Sequence, residues 1–196
     1  MNLKIKEIFY SLQGEGGRQG EASIFIRLAG CNLNCDFCDT DFESDTKDLS
    51  LNEIANLISN YPARWIIWTG GEPTLQLKDE IFLFFKQKGY LQAIESNGTN
   101  PLSSLLDYRV VSPKGNYLYA REINPQVEEI RLPVQDGALI PDIKLLPTAN
   151  HYYLSPIFAA NNNDQTRLNI NYCVQYILDH PIWKLSLQIH KLIGIE

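Results

Sequence analysis

Short apolar runs alternate with amphipathic stretches along this chain. The apolar runs are rich in β-branched and aromatic residues and are mostly bounded by Gly, Ser, Asn or Pro, a pattern that predicts strands. They are Ser23–Ala29, Arg64–Thr69, Tyr90–Ile94, Tyr108–Val111, Glu129–Val134, His151–Leu154 and, close to the end, Leu185–Ile189.

The amphipathic stretches predict helices. Ser50–Asn60 carries an apolar residue every three or four positions, and Ser50 and Glu53 have the spacing of a capping box at its start. Leu77–Lys88 has a similar apolar stripe, and Gly89, which follows it, is a common helix stop. These signals place two helices between consecutive predicted strands.

Two more helices are predicted further along, a short one that starts at Pro101 and a longer one over Arg167–Leu178 that ends before Pro181. Strand and helix signals that alternate in this way favour parallel strands with helical crossovers. A complete eight-stranded barrel needs about 250 residues, and this chain has 196. We therefore predict an α/β fold, a partial TIM-like barrel of about six parallel strands with few helices, built as a single domain over residues 1–196.

The residues that follow the predicted strands are unusually polar or small. The strands that end near Ala29, Thr69, Ile94, Val111 and Leu154 are each followed by Gly, Cys, Ser, Asn or Pro. In parallel α/β folds the ligand site lies at the carboxyl ends of the strands. The candidate chemistry is scattered in sequence but is predicted to meet at one rim.

Composition and charge narrow the class of protein. The chain is 44% hydrophobic and 20% charged with a net charge of −6, so it lacks the overall basic character typical of nucleic-acid binding. No apolar run approaches the roughly 18 residues of a membrane span, and Met1–Tyr10 lacks the apolar core of a signal peptide. We expect a cytosolic protein that binds neither nucleic acid nor a membrane.

Three of the four cysteines lie within eight positions. Cys31, Cys35 and Cys38 form a C-x3-C-x2-C pattern, and in a reducing compartment such a cluster more often binds metal than forms disulfides. Thiolates are soft ligands for iron, and three of them would leave one iron of a [4Fe–4S] cluster open to another ligand.

A structural zinc site is the alternative for this loop. Zinc needs four closed ligands, and the fourth would have to be Cys173, His151, His180 or His190. Cys173 falls on an apolar helical stripe and is more simply a core residue. The ligand count and spacing favour the cluster.

The cysteine loop resembles that of the radical S-adenosylmethionine (SAM) superfamily, which has an aromatic residue, here Phe37, before the last cysteine. The resemblance implies a [4Fe–4S] cluster on Cys31, Cys35 and Cys38 whose open iron binds SAM. Thr69–Pro73, which reads Thr-Gly-Gly-Glu-Pro, would alone be a turn. After such a loop it is similar to the superfamily motif that holds the SAM amino group.

Further segments resemble one family of that superfamily, the 7-carboxy-7-deazaguanine synthases, over nearly the whole chain. The matching segments are Phe9–Gly16, Phe25–Cys31, Cys38–Thr40, Glu95–Thr99, Ser112–Lys114 and Leu187–Gly194. Their occurrence in this order is far more specific than any single segment. The resemblance implies conversion of 6-carboxy-5,6,7,8-tetrahydropterin to 7-carboxy-7-deazaguanine with loss of ammonia, a carbon–nitrogen lyase reaction in 7-deazaguanine and queuosine synthesis.

The same resemblance implies the roles of individual residues. For the substrate they are Leu12, Gln13, Gly14, Arg27, Thr69 and the terminal carboxylate of Glu196. For SAM they are Phe37, Cys38, Asp39, Gly71, Glu72, Ser112, Pro113, Lys114, Ser155, Pro156, Ile157 and Phe158. Thr40 would bind Mg²⁺, and no catalytic side chain is implied beyond the radical that the cofactor provides.

Without the family resemblance, we would assign several of these residues ordinary structural roles. Arg27 would be a strand residue facing solvent, Thr40 a turn hydroxyl, and Lys114 a solvated charge. Two positions depart from the family: Ser155 stands where Gln is common before Pro156, and the chain ends in Glu196 rather than Pro or a small residue. A shorter Ser puts that SAM contact in question unless water bridges it.

The family further implies a homodimer and a flavodoxin- or ferredoxin-type reductant. Two rival functions remain open from the residues. One is a radical SAM activase of a glycyl-radical enzyme, which would need a protein-binding surface but neither Arg27 nor Thr40. The other is a non-enzymatic zinc or iron–sulfur module.

Overall fold

A computed structural model describes residues 1–38, 40–159 and 162–195. Its centre is one nine-stranded sheet in the order β3-β1-β2-β4-β5-β6-β7-β8-β9. The strands are β1 Asn2–Leu12, β2 Ala22–Leu28, β3 Lys47–Ser50, β4 Trp65–Gly70, β5 Leu91–Ser96, β6 Tyr108–Val111, β7 Gln126–Val134, β8 Thr148–Pro156 and β9 Trp183–Leu185.

Seven of these strands, β2 and β4 to β9, run parallel, while β1 pairs antiparallel with both β2 and β3 at one edge. The two ends of the sheet do not pair with each other in the described part of the chain. The sheet is therefore open, and the prediction of a partial parallel barrel is confirmed, with one parallel strand more than expected.

Five α-helices are described in the same ranges, and they are few for the number of strands. They are α1 Leu51–Ile58, α2 Asp79–Gln87, α3 Tyr117–Ile123, α4 Asn163–Asp179 and α5 Ile189–Ile193. The predicted capping box at the start of α1 is present, since the Ser50 hydroxyl accepts from the Glu53 amide and the Glu53 carboxylate accepts from the Ser50 amide. Gly89 has a φ of +81° just beyond α2, as its predicted role as a stop requires.

Two apolar cores lie between the sheet and these helices. One packs α1 and α2 against β1, β2 and β4 around Trp68 and Phe85, both fully buried. The other packs α4 against β7 and β8 and includes Cys173. A smaller set on the opposite side of the sheet contains Phe25, Ile67 and Ala93. Both faces of the central strands therefore carry buried apolar residues.

Two predicted elements are wrong. No helix starts at Pro101, because the Asn124 side chain accepts from the Leu102 amide and donates to the carbonyls of Gly98 and Asn100. These tertiary hydrogen bonds take up backbone groups that a helix would pair internally.

The predicted strand Leu185–Ile189 ends at its first residue. Ile189 donates its amide to the carbonyl of Gly14, and the chain turns into α5. The apolar–polar alternation of this segment favoured a strand, but a contact with a residue 175 positions earlier in the chain ends it.

Candidate active site

A cavity of about 680 Å³ opens at the carboxyl ends of the parallel strands. It brings together most of the residues predicted for substrate, SAM and metal. Those that line it are Leu12, Gln13, Gly14, Arg27, Cys31, Cys35, Phe37, Cys38, Thr40, Thr69, Gly71, Ser112, Lys114, Ser155, Pro156, Ile157 and Phe158. The expectation that scattered residues meet at one rim holds for these positions.

Four predicted site residues are not among those that line the cavity. Asp39 and Glu196 lie outside the described residues. Pro113 is buried behind the wall, and Glu72 is 0% exposed. The roles predicted for these four residues, like those predicted for the residues that line the cavity, remain predictions.

Glu72 lies in the turn that follows β4, and its carboxylate accepts hydrogen bonds from that turn and from the end of β5. It accepts from the Ser96 hydroxyl at 2.8 Å, the Asn97 amide at 2.7 Å and the Thr74 hydroxyl at 2.6 Å. Glu72 therefore ties the ends of β4 and β5 together beneath the cavity. In this geometry the Glu72 side chain holds the strand ends together and does not itself line the cavity.

The cysteine loop is fastened to the neighbouring strand ends. The Asn32 side chain accepts from Asn97 at 2.9 Å and donates to the Thr99 hydroxyl at 2.8 Å. The Glu72 amide donates to the carbonyl of Gly30 at 2.8 Å. Gly71 lies so close to that carbonyl that a Cβ there would overlap it. The loop is held by contacts on both sides of Cys31.

All three loop cysteines line the cavity as free thiols; Cys31 and Cys35 are half-buried and Cys38 is exposed. Burial raises the pKa of Cys35, and the nearby charge of Lys114 acts in the opposite direction. The described residues contain no group of three or more His, Cys, Asp or Glu arranged for a metal ion. A cubane distributes its thiolates over separate irons, so three soft sulfur donors on one cavity wall fit it.

The candidate fourth zinc ligands are mostly elsewhere. Cys173 is completely buried in the core under α4, where burial raises its pKa to about 12, as expected for an inert core thiol. His180 stacks on Tyr176, and His151 contacts Lys184. Among the candidates only His190 lines the cavity.

Arg27 extends from β2 into the cavity, contrary to a purely solvent-facing position. Its Nε donates to Glu7 Oε1 at 2.7 Å, and its Nη1 donates to the Thr40 hydroxyl at 3.3 Å. The two residues predicted for the substrate carboxylate and for Mg²⁺ are therefore in direct contact, although 13 positions separate them in sequence.

The cavity also contains a carboxylate, Glu95, that the sequence analysis did not select as a site residue. Glu95 accepts from Gln13 Nε2 at 3.1 Å, from the Thr69 hydroxyl at 3.1 Å and from Arg131 Nη1 at 2.9 Å. Burial acts to raise the pKa of Glu95, but the Arg131 charge and the three hydrogen bonds together lower it below its ordinary value. Glu95 is thus an ionised acceptor beside two predicted substrate residues.

Arg131 is the centre of a buried ionic network that the sequence also did not reveal. Its side chain is 9% exposed and pairs with Glu129, which is 0% exposed, at 2.8 Å, with Glu95 at 2.9 Å and with Glu15 at 3.6 Å. Burial alone would lower the pKa of Arg131, but the three carboxylates raise it. Tyr108 donates its hydroxyl to Glu129 at 2.9 Å. An arginine in the middle of an apolar strand was the available signal, as it was for Arg27.

The segment after β1 and the C-terminal segment meet across the cavity. The Ser155 hydroxyl lies 2.9 Å from Glu15 Oε2, and Gln188 Nε2 donates to Glu15 Oε1 at 2.9 Å. His190 and Lys191 also line the cavity, and Lys191 Nζ lies 4.7 Å from the centre of the Phe158 ring. The Ser155 hydroxyl is therefore engaged by Glu15, and the SAM contact predicted for Ser155 stays a prediction.

Comparisons with known proteins agree with this geometry. A family model described as the radical SAM superfamily matches residues 25–116. A 7-carboxy-7-deazaguanine synthase of Bacteroides thetaiotaomicron is 42% identical over 196 residues, covering 100% of both chains. One of Haemophilus influenzae is 39% identical over 202 residues, covering 100% of this chain and 95% of that protein.

This chain belongs to the 7-carboxy-7-deazaguanine synthase family.

A solved structure supports the assignment to this radical SAM family. The crystal structure of QueE from Escherichia coli has a TM-score of 0.72 and 27% identity, covering 95% of this chain and 94% of that one. Membership implies a [4Fe–4S] cluster and SAM, and the three cysteines on the cavity wall are the residues suited to hold the cluster. None of the described helices is long and apolar enough to span a membrane.

Proposed function

We propose that this enzyme converts 6-carboxy-5,6,7,8-tetrahydropterin to 7-carboxy-7-deazaguanine with loss of ammonia, as a carbon–nitrogen lyase. The observation that carries the proposal is the contact between Arg27 and Thr40 in the cavity that contains the three cysteines. A guanidinium is suited to a carboxylate, and this substrate class carries one. Relatives named for this activity over their full length support the choice of substrate.

Besides Arg27, the cavity offers polar groups for the pterin ring. The amide of Gln13 and the ionised carboxylate of Glu95 provide donors and an acceptor within 3.1 Å of each other. A pterin edge alternates N–H and C=O groups, so a paired amide and carboxylate can complement it. Phe9 and Phe25 stack at 4.9 Å between ring centres and add apolar wall.

Mg²⁺ would bind at the Thr40 hydroxyl. Magnesium prefers oxygen ligands and often takes few from the protein when the substrate supplies others. The neighbouring Arg27 cation would repel Mg²⁺ unless an anion lay between them. A substrate carboxylate that contacts both would satisfy each charge, so this arrangement supports joint binding of substrate and metal.

When bound at Cys31, Cys35 and Cys38, the cluster together with SAM would supply the radical chemistry that removes hydrogen from the substrate. The protein's own part is to orient the substrate and exclude water from the cavity. The contacts of Glu15 with Ser155 and Gln188 join the segment after β1 to the C-terminal segment at the cavity wall. Gly71, Ser112, Lys114 and the segment Ser155–Phe158 form the wall proposed for SAM.

Three further features are part of the proposal. The reductant would be a flavodoxin- or ferredoxin-type protein, the enzyme would be a homodimer, and its four free thiols fit the reducing cytosol. The reductant and the homodimer rest on the family, and the reducing compartment rests on cysteine chemistry.

The test compares wild-type enzyme with Arg27→Ala after anaerobic cluster reconstitution. Iron and sulfide are measured first; zinc without sulfide would support a structural module instead. With 6-carboxytetrahydropterin, Arg27→Ala should lose product formation while it still binds SAM, because the variant removes the carboxylate partner and leaves the cysteines. Full product formation by Arg27→Ala would contradict the role of Arg27 as the carboxylate partner. SAM cleavage by the wild type without this product would contradict the proposed substrate and favour an activase of a glycyl-radical enzyme.

A further inference from the structure

Strand β1 changes its register against β2 near the amino end of β1. Ile5 lies opposite Leu28, but Glu7 lies opposite Arg27, so Lys6 is an extra residue, as in a β-bulge. Residues two apart on a regular strand face the same side. The bulge changes this relation: Ile5 is buried in the core, whereas Glu7 lines the cavity.

Glu7 and Lys6, the two residues at the bulge, each hold one partner of the Arg27–Thr40 contact: Glu7 binds Arg27, and Lys6 binds the segment that follows Thr40. Glu7 accepts from Arg27 Nε at 2.7 Å. Lys6 Nζ donates to the carbonyl of Ser44 at 3.0 Å and lies 3.2 Å from Asp41 Oδ2. Asp41 directly follows Thr40, so Lys6 holds the segment that carries the Thr40 hydroxyl.

The two hydrogen bonds of Arg27 differ in strength. The bond to Glu7, at 2.7 Å, is short and links opposite charges, whereas that to Thr40, at 3.3 Å, is long and links a charge to a neutral hydroxyl. An entering carboxylate would displace the weaker contact first. The Nη end of the guanidinium is therefore the available end, while Nε stays with Glu7.

A fixed guanidinium binds a carboxylate more tightly than a mobile one. Arg27 is only 24% exposed but has a long side chain with many rotamers. Ordering such a side chain upon binding costs affinity, and ordering it beforehand avoids that cost. Glu7 has an opposing effect, because its negative charge repels the ligand carboxylate. Since the Glu7 side chain is 44% exposed, water screens this repulsion.

We propose that Glu7 is a positioning residue, which through Arg27 gives the enzyme its preference for pterins that carry a carboxylate. The β-bulge at Lys6 is the feature that brings Glu7 into the cavity. This inference rests on the proposed function, and it assigns a role to a residue outside the predicted substrate, SAM and metal contacts.

Ligand binding separates positioning from a structural role. The probes are 6-carboxypterin, which is oxidised and unreactive, and pterin, which lacks the carboxylate. Their Kd values are measured by anaerobic calorimetry on cluster-loaded enzyme with SAM and Mg²⁺ but no reductant. We expect Glu7→Ala to raise the Kd of 6-carboxypterin roughly tenfold, about 1.4 kcal/mol, and to leave the Kd of pterin unchanged.

Three further variants sharpen this test. Glu7→Gln keeps an acceptor for Arg27 Nε without the charge, so it should restore most of the preference. Glu7→Ala combined with Arg27→Ala should bind 6-carboxypterin no more weakly than Arg27→Ala alone, because Glu7 acts through Arg27. Glu122→Ala, an exposed glutamate in α3, is the matched control and should bind both ligands as the wild type does.

The outcomes distinguish this inference from the proposed function. If Glu7→Ala binds 6-carboxypterin as tightly as the wild type or more tightly, or loses both ligands equally, the positioning role is wrong while the proposed substrate stands. If wild-type enzyme does not prefer 6-carboxypterin to pterin, the inference is overturned. Turnover of 6-carboxy-5,6,7,8-tetrahydropterin by the same preparation then decides the proposed function separately.

Discussion

The buried network around Arg131 provides a sharp test of how the cavity floor is stabilised. Arg131→Met keeps an apolar stem of similar length and removes the charge that pairs with Glu129, Glu95 and Glu15. Glu129 is 0% exposed and would become a buried carboxylate without a cationic partner among these contacts. Removing one partner of a buried ion pair typically costs about 3–5 kcal/mol. For a chain of this size that corresponds to a fall in Tm of roughly 6–20 °C.

A second ionic pair in the same sheet is the matched control. Arg109 pairs with Glu128 at 2.8 Å, but both side chains are about one quarter exposed, at 23% and 25%. Water can solvate Glu128 after Arg109→Met, so this variant should lose no more than about 1 kcal/mol. The difference in stability loss between Arg131→Met and Arg109→Met isolates the effect of burial on an ion pair.

The stability loss in Arg131→Met should depend on pH, because Arg131 controls the ionisation of Glu95. In the wild type the pKa of Glu95 is lowered, so Glu95 contributes stability above its unfolded pKa and loses that contribution as pH falls through its folded pKa. In Arg131→Met the lowering charge is gone, and burial would raise the pKa of Glu95. The stability deficit of Arg131→Met should therefore be large at pH 8 and smaller near pH 5.

Thermal unfolding followed by circular dichroism at both pH values measures these changes. The reasoning would be refuted if Arg131→Met melted within a degree of Arg109→Met at pH 8. A deficit of Arg131→Met that grew toward pH 5 would refute the assignment of the charges.

Three more predictions concern other parts of the chain. Gly71→Ala should lower SAM cleavage by roughly 100-fold, because the new Cβ would overlap the Gly30 carbonyl and displace the cysteine loop; wild-type iron content and cleavage would contradict this. Thr40→Val should raise the Mg²⁺ concentration for half-maximal turnover by roughly 10–100-fold with SAM binding unchanged, and an unaltered Mg²⁺ response would remove Thr40 as the ligand. Ser50→Ala should cost about 1 kcal/mol in urea unfolding through loss of the α1 capping box, with normal turnover; a loss of turnover at full stability would be inconsistent with its position.

Local signals in the sequence were sufficient to predict much of the fold and one wall of the site. The capping box at Ser50 and the stop at Gly89 depend on residues a few positions apart, and both are present. The cysteine loop and the Gly-Gly turn lie beside each other because both follow parallel strands, which end at one rim. Such features need only neighbours in sequence and the general rules of α/β folds.

Features that depend on distant partners could not be predicted in the same way. The bulge at Lys6 is a property of how β1 pairs with β2, and it alone decides that Glu7 faces the cavity. The three carboxylates that pair with Arg131 come from three separate segments, and Glu15 contacts Gln188 across 173 positions. The five-residue helix α5 is too short to give a clear periodic pattern, and its start depends on Gly14.

The most direct test of the central claim is anaerobic turnover by the reconstituted wild-type enzyme. Cluster-loaded protein is given SAM, Mg²⁺, a reductant and 6-carboxy-5,6,7,8-tetrahydropterin, and products are identified by mass spectrometry while SAM is counted. The account predicts 7-carboxy-7-deazaguanine over many turnovers without stoichiometric loss of SAM. Cleavage of SAM without that product would keep the chain among radical SAM enzymes and contradict the proposed substrate.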